Sequence, residues 1–414
     1  MTITAIYAGQ AYTQTFMAPG VQVVVLRDGP LPNDSRIFSL NENDEWQDAP
    51  LTVTGLGSVE ADMGSEETLA HFASWAIDTY AADYRALFML GPANGVVGFG
   101  EDRHGAHAQP DLLTPADLRT ALERVAAQNT RKLDLLYLDG GPFGLLEDAA
   151  IVEGMVNFVV AAPNTRFALY DYARYRHLAS QSTAPGAYAL ALAQTDATRH
   201  HARGLPYALA VWDMAYFEPL RLAVDELGKA LQAYVQTGPE QRAQLERIRR
   251  QIQHYDGGGQ TVNAPDPEDP YVDLVHLATT LTMTHTNAGV AESAQQVIGS
   301  MADFVVEHYV ENGQFQSGGQ MQCVDLTHAH GVGIYYPPSA RAESGTANAR
   351  YLNHELFHIS PGWGWTDFIF MDNGSGLPFP GEPSPMADDF LLMPVLVNGA
   401  ADSTVHIFLP LAQR

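Results

Sequence analysis

The sequence predicts an α/β fold in which a mostly parallel β-sheet carries helices on both faces. Short apolar runs alternate with amphipathic helical segments through the first half of the chain. Strands joined by helices need crossover connections, which make neighbouring strands parallel and cover both faces of the sheet. In such sheets ligands bind beyond the carboxyl ends of the strands. We therefore expect the functional loops at residues 91–100 and 139–144.

The first strand–helix–strand unit has clear local signals. Residues 21–26 (VQVVVL) form a β-branched run before an Asp-Gly turn, which predicts a buried strand. Residues 65–80 begin with a capping serine followed by two glutamates, and their apolar residues recur at helical spacing. Residues 86–90 (ALFML) then form a second buried strand.

The same alternation continues to about residue 162. Thr114-Pro115 begins a helix that runs to about residue 128, because proline is well suited to the first helical position. Three further elements follow: a strand at 133–138 (LDLLYL), a helix at 145–154 and a strand at 158–162.

The second half of the chain divides into three segments. Residues 219–255 form a polar helical stretch, and residues 256–270 (DGGGQTVNAPDPEDP) have the composition of a linker. In residues 271–310 the apolar side chains recur at helical spacing, which predicts helices. Residues 331–336 and 404–409 are predicted to be strands. We therefore predict a core at 1–218, a helical segment, a linker, and a C-terminal α/β portion at 271–414 that completes the fold.

The charge of the chain excludes several classes of partner. The 414 residues include 48 acidic and 22 basic side chains, which give a formal net charge of −26. Such a protein repels phosphate backbones and anionic lipids, so we expect neither nucleic acid nor membrane as a partner. A basic peptide or cationic protein is compatible with this charge. The alternative is that the acidity only maintains solubility.

The lack of a recognisable targeting signal and the single cysteine predict a cytoplasmic protein. No apolar run reaches the roughly 20 residues of a membrane helix. The N-terminus lacks the basic stretch and long apolar core of a signal peptide. The single cysteine, Cys323, rules out an internal disulfide framework and fits a reducing compartment.

Three segments of the sequence resemble the clostripain-like cysteine peptidases, a family with a caspase-like α/β fold. MGSEETLAHFASWAIDTYAADYRALFML is similar to the stretch that leads to the family's catalytic histidine, and KLDLLYLDGGPFGLLEDA to the stretch that carries its catalytic cysteine. HGVGIYYP, followed by Trp363 and Trp365, resembles the C-terminal portion. The order and spacing of these segments imply a caspase-like core over residues 1–218.

The two positions that match the family's catalytic histidine and cysteine hold other residues in this sequence. The family mechanism needs a cysteine thiolate and a histidine at neighbouring strand ends. Pro92 occupies the histidine position, and Gly141 occupies the cysteine position two residues after Asp139. No Cys or His occurs in residues 87–98 or 135–147, so a one-residue shift does not restore the pair. The resemblance implies a catalytically degenerate member of the family.

The residues around the degenerate pair are the remaining candidates for the cleft. We assign Gly95, Asp102, Asp139 and Glu147 as its neighbours, and Glu147 also matches the family pattern. His104 and His107 come later and would have no nucleophile to activate. We expect the strands at 87–90 and 133–138 to be adjacent and parallel, with Pro92 and Gly141 close together beyond their ends.

An alternative site is the segment His354-Glu355-Leu356-Phe357-His358, which matches H-E-x-x-H. On a helix this spacing places two imidazoles on one face to bind zinc, with Glu355 as general base. Ser360-Pro361 ends any such helix at once, and no third ligand follows at a fixed spacing. The main prediction is therefore that no metal and no cofactor are bound.

A second cluster combines Cys323, Asp325, His328 and His330. A nucleophile and a base this close in sequence act together only if the strand aims both at one pocket, and cysteine is often just a small buried hydrophobe. We expect a structural role for this cluster.

The sequence therefore predicts a peptidase homologue that binds a polypeptide or a partner protein through the former substrate cleft. The alternatives are a zinc peptidase that uses His354, Glu355 and His358, and a purely structural or assembly subunit.

Overall fold

The computed structural model describes most of the chain. The described residues are 2–7, 10–15, 20–28, 32–40, 45–57, 59–91, 93, 95–102, 111–129, 131–165, 167, 171–256, 265–267, 269–284, 287–317, 319–338, 363–372 and 405–412. Pro92, the two loop histidines (His104 and His107) and the segment at 354–358 lie outside them.

Eighteen strands and ten α-helices occur in these described residues. The strands are β1 (Thr2–Tyr7), β2 (Gln10–Thr15), β3 (Val21–Asp28), β4 (Arg36–Leu40), β5 (Trp46–Ala49), β6 (Tyr84–Leu90), β7 (Phe99–Asp102), β8 (Asp111–Leu113), β9 (Leu133–Asp139), β10 (Val156–Ala161), β11 (Tyr207–Asp213), β12 (His254–Tyr255), β13 (Tyr271–Asp273), β14 (Val305–Glu311), β15 (Gly313–Ser317), β16 (Gln320–Val324), β17 (Gly333–Tyr335) and β18 (Val405–Ala412). The helices are α1 (Glu66–Thr79), α2 (Pro115–Asn129), α3 (Leu146–Val152), α4 (Tyr172–Gln181), α5 (Pro185–His201), α6 (Phe217–Val235), α7 (Pro239–Arg249), α8 (Leu274–Met283), α9 (Ala288–Phe304) and α10 (Gly364–Asp372).

A nine-stranded sheet forms the centre of the molecule, in the order β14-β11-β10-β9-β6-β18-β3-β4-β5. Six of these strands run in one direction: β3, β5, β6, β9, β10 and β14. The direct parallel neighbours are β6–β9 and β9–β10, because antiparallel strands lie between the others. The predicted α/β class is confirmed, with a mixed sheet in which most strands share one direction.

Helices cover both faces of this sheet, as predicted. Strand β9 is buried along its whole length, and its side chains alternate between the two layers. Leu136 and Leu138 pack in the layer formed with α1, α2, α6 and α9, whereas Leu135 and Tyr137 pack under α4 and α5. Strands buried on both faces have continuous apolar sequences, which is why residues 133–138 were recognisable from the sequence.

Most predicted elements are confirmed within two or three residues. Ser65 caps α1 by accepting a hydrogen bond from the N–H of Glu67, and Pro115 is the first residue of α2. The prediction that residues 271–310 are helical is wrong at both ends. Tyr271–Asp273 and Val305–Glu311 are strands, because their backbones are paired in sheets.

Two acidic residues of the predicted linker at 256–270 are buried. Asp256 is 3% exposed and Asp269 is 0% exposed, so both are buried within the fold. The N–H of Asp256 donates to Asn164 Oδ1 at 2.8 Å. Composition alone missed this burial, because the partners are remote in sequence.

Arg249, the last residue of α7, is completely buried and binds three carbonyl oxygens. Nε donates to Tyr336 O at 2.8 Å, Nη1 to Pro267 O at 2.7 Å and Nη2 to Asp269 O at 2.6 Å. The guanidinium thereby joins α7 to the backbone around β13 and β17, which form a three-stranded sheet with β12. Arginine is suited to this position because its planar group carries several donors in fixed geometry.

Helix α10 attaches the C-terminal portion to the same region. A Cβ on Gly228 of α6 would lie 2.2 Å from Gly364 C, so the two helices touch through their glycines. Trp365 is buried, and its Nε1 donates to Tyr335 O at 3.0 Å. No helix within the described ranges has both the length and the apolar content needed to span a membrane.

We predict that Arg249→Ala lowers the free energy of unfolding by about 3–5 kcal/mol, since it leaves buried carbonyl groups without their charged donor. Arg250→Ala is the matched control, because Arg250 is the next residue and forms an exposed pair with Glu246 at 3.0 Å. The control should change stability by less than about 1 kcal/mol. Urea unfolding of both variants measures the difference, and equal losses would refute the role of Arg249.

Candidate functional site

Strands β6 and β9 end side by side at the carboxyl edge of the sheet. They pair in parallel, with Leu90 opposite Asp139, and the N–H of Gly91 donates to Asp139 O at 3.4 Å. The predicted adjacency of these two strands is confirmed. Pro92 is not among the described residues, but its neighbour Gly91 contacts the loop that contains Gly141.

Gly140 shows how closely the two loops approach. A Cβ at this position would lie 2.2 Å from the carbonyl oxygen of Gly91 and 3.6 Å from the Cβ of Ala93. No side chain fits there unless one of the two backbones moves. Residues 91 and 140 therefore form a direct backbone contact between the two loops.

The loop after β6 is held in place from two sides. The N–H of Gly95 donates to Pro142 O at 3.0 Å, and the N–H of Val96 donates to the hydroxyl of Tyr271 at 3.2 Å. Gly95 has a φ of +50°, and a Cβ there would lie 2.1 Å from that hydroxyl. Gly95 therefore lies in the loop after β6, where the lack of a side chain leaves room for Tyr271. Nothing in the sequence pointed to Tyr271.

Glu147 lies beneath the loop after β9 and is completely buried. Its Oε1 accepts a hydrogen bond from the N–H of Tyr335 at 3.0 Å, which joins α3 to β17. The next residue, Asp148, accepts hydrogen bonds from the N–H groups of Gly144 and Leu145, each at 3.0 Å. Burial raises the pKa of Asp148 to about 7. These two carboxylates fix the start of α3.

Asp139 and Asp102, the other acidic candidates, are also buried, at 2% and 3% exposure. Asp139 ends β9 directly beside Gly140, as expected. Asp102 ends β7, and its Oδ2 accepts a hydrogen bond from the N–H of Met63 at 2.7 Å. Asp28, the last residue of β3, lies on the same side, and its burial together with the nearby Asp102 raises its pKa to about 7.

An acidic group adjoins Asp102 on that side. Within the described parts of the chain, Asp28, Asp34 and Glu60 are the one set of three or more ligand-type side chains whose donor atoms lie within 4.8 Å of one another. The hydroxyl of Ser35 donates to Asp28 at 2.5 Å and to Glu60 at 3.3 Å. These contacts account for Asp28 and Glu60 as part of the fold.

Comparison with known proteins agrees with this architecture. The family model of the clostripain family, Peptidase C11, matches residues 13–340. The chain belongs to the clostripain family. No curated protein sequence matches it significantly.

Three solved C11 structures resemble this clostripain-family chain in fold. An inactive zymogen of a C11 protease from Parabacteroides distasonis shares 15% identity at a TM-score of 0.58, covering 78% of this chain and 83% of that one. A secreted C11 cysteine protease from Bacteroides thetaiotaomicron, in complex with an irreversible peptide inhibitor, shares 13% identity at a TM-score of 0.55. The match covers 86% of this chain and 87% of that one. A secreted C11 cysteine protease from the same organism, described as iotapain, shares 12% identity at a TM-score of 0.51. The match covers 78% of this chain and 85% of that one. Identities this low establish the fold alone.

The one cysteine of this clostripain-family chain is exposed on a hairpin. Cys323 lies on β16 opposite Gln314, while its neighbour Val324 packs inward with Tyr271 and Tyr335. The interpretation of Cys323 as a small buried hydrophobe is therefore wrong. Residues 323–336 do not form one continuous strand, because β16 ends at Val324 and β17 begins at Gly333.

The histidines near Cys323 have defined partners. His330 Nδ1 lies 3.0 Å from Oδ1 of the buried Asp273, and the ring of His328 lies 4.5 Å from that of His276. Elsewhere, His200 near the end of α5 is 2% exposed, and its Nδ1 lies 2.8 Å from Asp196 O. The H-E-x-x-H segment, His354, Glu355 and His358, lies outside the described residues, so the prediction that it binds no metal and the zinc alternative both stay predictions.

We predict that Gly140→Ala lowers the free energy of unfolding by about 1–3 kcal/mol, because the new methyl group collides with the carbonyl of Gly91. Gly57→Ala is the control, since a Cβ there has no neighbour within 4 Å. Thermal or urea unfolding of both variants measures the effect. A neutral Gly140→Ala variant would show that the two loops are not in contact.

Proposed function

We propose that this protein is a catalytically inactive clostripain homologue that binds a basic polypeptide through the cleft at the ends of β6 and β9. One observation carries the proposal. The two loops that meet at this edge have the sequences Gly91-Pro92-Ala93 and Asp139-Gly140-Gly141, with no cysteine or histidine in 87–98 or 135–147.

Peptide hydrolysis by this family's chemistry requires a thiolate that attacks the carbonyl carbon and an imidazole that exchanges the proton. Glycine at 141 has no nucleophilic atom, and proline at 92 has no titratable group. Cys323 does not substitute for the nucleophile, because it is exposed on the β15–β16 hairpin rather than carried by the loop after β9.

Contacts that hold the two loops in place support a binding role. The contacts of Gly95 with Pro142, of Val96 with Tyr271 and of Glu147 with Tyr335 hold these loops without any contribution from a catalytic pair. A pre-organised surface binds a ligand with a smaller entropic cost. The net charge of −26 favours a cationic polypeptide over nucleic acid or an anionic membrane.

The first test concerns catalysis. We predict no thiol-dependent cleavage of peptides that carry arginine or lysine at the cleavage site, which is the preference that the family resemblance implies. Cys323→Ala should leave a fluorogenic peptide assay unchanged. Robust cleavage that disappears in Cys323→Ala would mean that the nucleophile is Cys323 and that the proposal is wrong.

The second test concerns binding. Gly141→Arg places a bulky cation at the centre of the cleft and should weaken binding of a fluorescent Lys/Arg-rich peptide at least tenfold, through steric exclusion and charge repulsion. Gly57→Arg makes the same change in charge at an open position and serves as the matched control.

Fluorescence anisotropy at two salt concentrations separates specific binding from general attraction to an acidic protein, which salt weakens. A polyanionic oligonucleotide should not bind either variant. Equal affinity of Gly141→Arg and Gly57→Arg for the peptide would exclude the cleft as the binding site and favour a structural role.

A further inference from the structure

We propose a transition-metal site formed by His308 and His330, with Asp273 as the group that orients it. His308 comes from the edge strand β14, His330 from the loop before β17, and Asp273 from the end of β13. The centres of the two imidazole rings lie 6.0 Å apart, with an angle of 35° between the ring planes. The site is separate from the cleft proposed above.

Asp273 fixes the ring of His330. This fully buried carboxylate accepts hydrogen bonds from the hydroxyl of Tyr255 at 2.7 Å and from the backbone N–H groups of His276 and His330 at 2.7 and 2.6 Å. Its Oδ1 also lies 3.0 Å from His330 Nδ1. In neutral His330 the proton therefore resides on Nδ1, which leaves the Nε2 lone pair as the ligand atom. Carboxylate–histidine pairs of this kind orient the imidazoles of metal sites.

The spacing of the two rings suits one shared ion. An imidazole nitrogen binds zinc at about 2.0–2.1 Å, so each ring centre lies roughly 3 Å from the metal and two such centres are about 5–6 Å apart. The observed 6.0 Å is at the upper end of this range. Both residues are accessible, since His308 is exposed and the side chain of His330 is 39% exposed.

Packing holds the two histidines in this relation. Gly331 has a φ of +85°, and a Cβ there would lie 2.5 Å from the Cβ of Ala210 and 3.2 Å from the Cβ of His308. The loop with His330 therefore rests directly on the strand with His308. An L-residue at 331 would push the two apart.

The neighbouring pair of His276 and His328 is not part of the proposed site. His276 Nδ1 accepts a hydrogen bond from the N–H of Gln253 at 2.9 Å, so its Nε2 carries the proton when the ring is neutral. Burial and the neighbouring His328 lower the pKa of His276. The proposed site therefore has two protein ligands, with water in the remaining positions. Imidazole ligands select Zn²⁺, Ni²⁺ or Cu²⁺ over Mg²⁺ and Ca²⁺.

The test is isothermal titration calorimetry of the full chain with ZnCl₂, after a chelator has removed any bound metal. We expect about one ion per chain. His308→Ala and His330→Ala should each weaken binding at least tenfold, and Asp273→Asn by about 10–100-fold. MgCl₂ and CaCl₂ should give no heat that depends on these residues.

Two controls locate the ion. His201→Ala removes another exposed imidazole with a carboxylate neighbour, Glu311 at 2.5 Å, and should not change the affinity. His358→Ala removes a residue of the H-E-x-x-H segment and should also have no effect. Circular dichroism verifies that each variant is folded. The two ligand variants decide the outcome, because Asp273 also supports the fold.

Three results would overturn the proposal: no zinc binding, full affinity in His308→Ala and His330→Ala, or loss of the ion in His358→Ala. The electron paramagnetic resonance spectrum of the Cu²⁺-loaded protein gives an independent measure. Nitrogen hyperfine splitting should be present in the natural protein and reduced in His330→Ala.

Discussion

The buried guanidinium of Arg249 is the contact on which the candidate cleft depends. It binds three backbone carbonyl groups from two segments that are remote from it in sequence, at Pro267, Asp269 and Tyr336. These bonds position the small β12–β13–β17 sheet, from which Tyr271 contacts the loop after β6 and Tyr335 contacts Glu147 on α3. A buried charge is tolerated only when its donors are satisfied, so this corner of the fold has little freedom to rearrange.

Contacts around this corner of the fold hold the loops after β6 and β9 in place. Gly91 lies against Gly140, the N–H of Gly95 donates to Pro142 O, and the N–H of Tyr335 donates to the carboxylate of Glu147. None of these contacts uses a side chain at positions 92 or 141. The positions of these loops therefore do not depend on side chains at 92 and 141, which is the physical basis of the proposed binding role.

The local signals in the sequence predicted the central sheet well and the small sheets poorly. Strand β9 was recognisable because it is buried on both faces and is apolar throughout, and α1 because Ser65 caps it. Strand β14 was missed because it directly continues α9 and its exposed edge carries polar residues. The burial of Asp256 and Asp269 was hidden as well, since composition does not record a partner such as Arg249.

The same limit applies to the sites, and Asp273 shows why. The positions of Asp139 and Glu147 followed from strand order and from the family resemblance, but nothing near Asp273 in sequence indicates its partners. Its carboxylate joins His330 on one side to Tyr255 on the other, and Tyr255 packs in the same apolar cluster as Tyr271. The proposed metal site and the cleft thus rest on one structural unit. Their ligand atoms are nevertheless different, because His308 contributes only to the metal site and Gly141 only to the cleft, and this separation allows each proposal to be tested without disturbing the other.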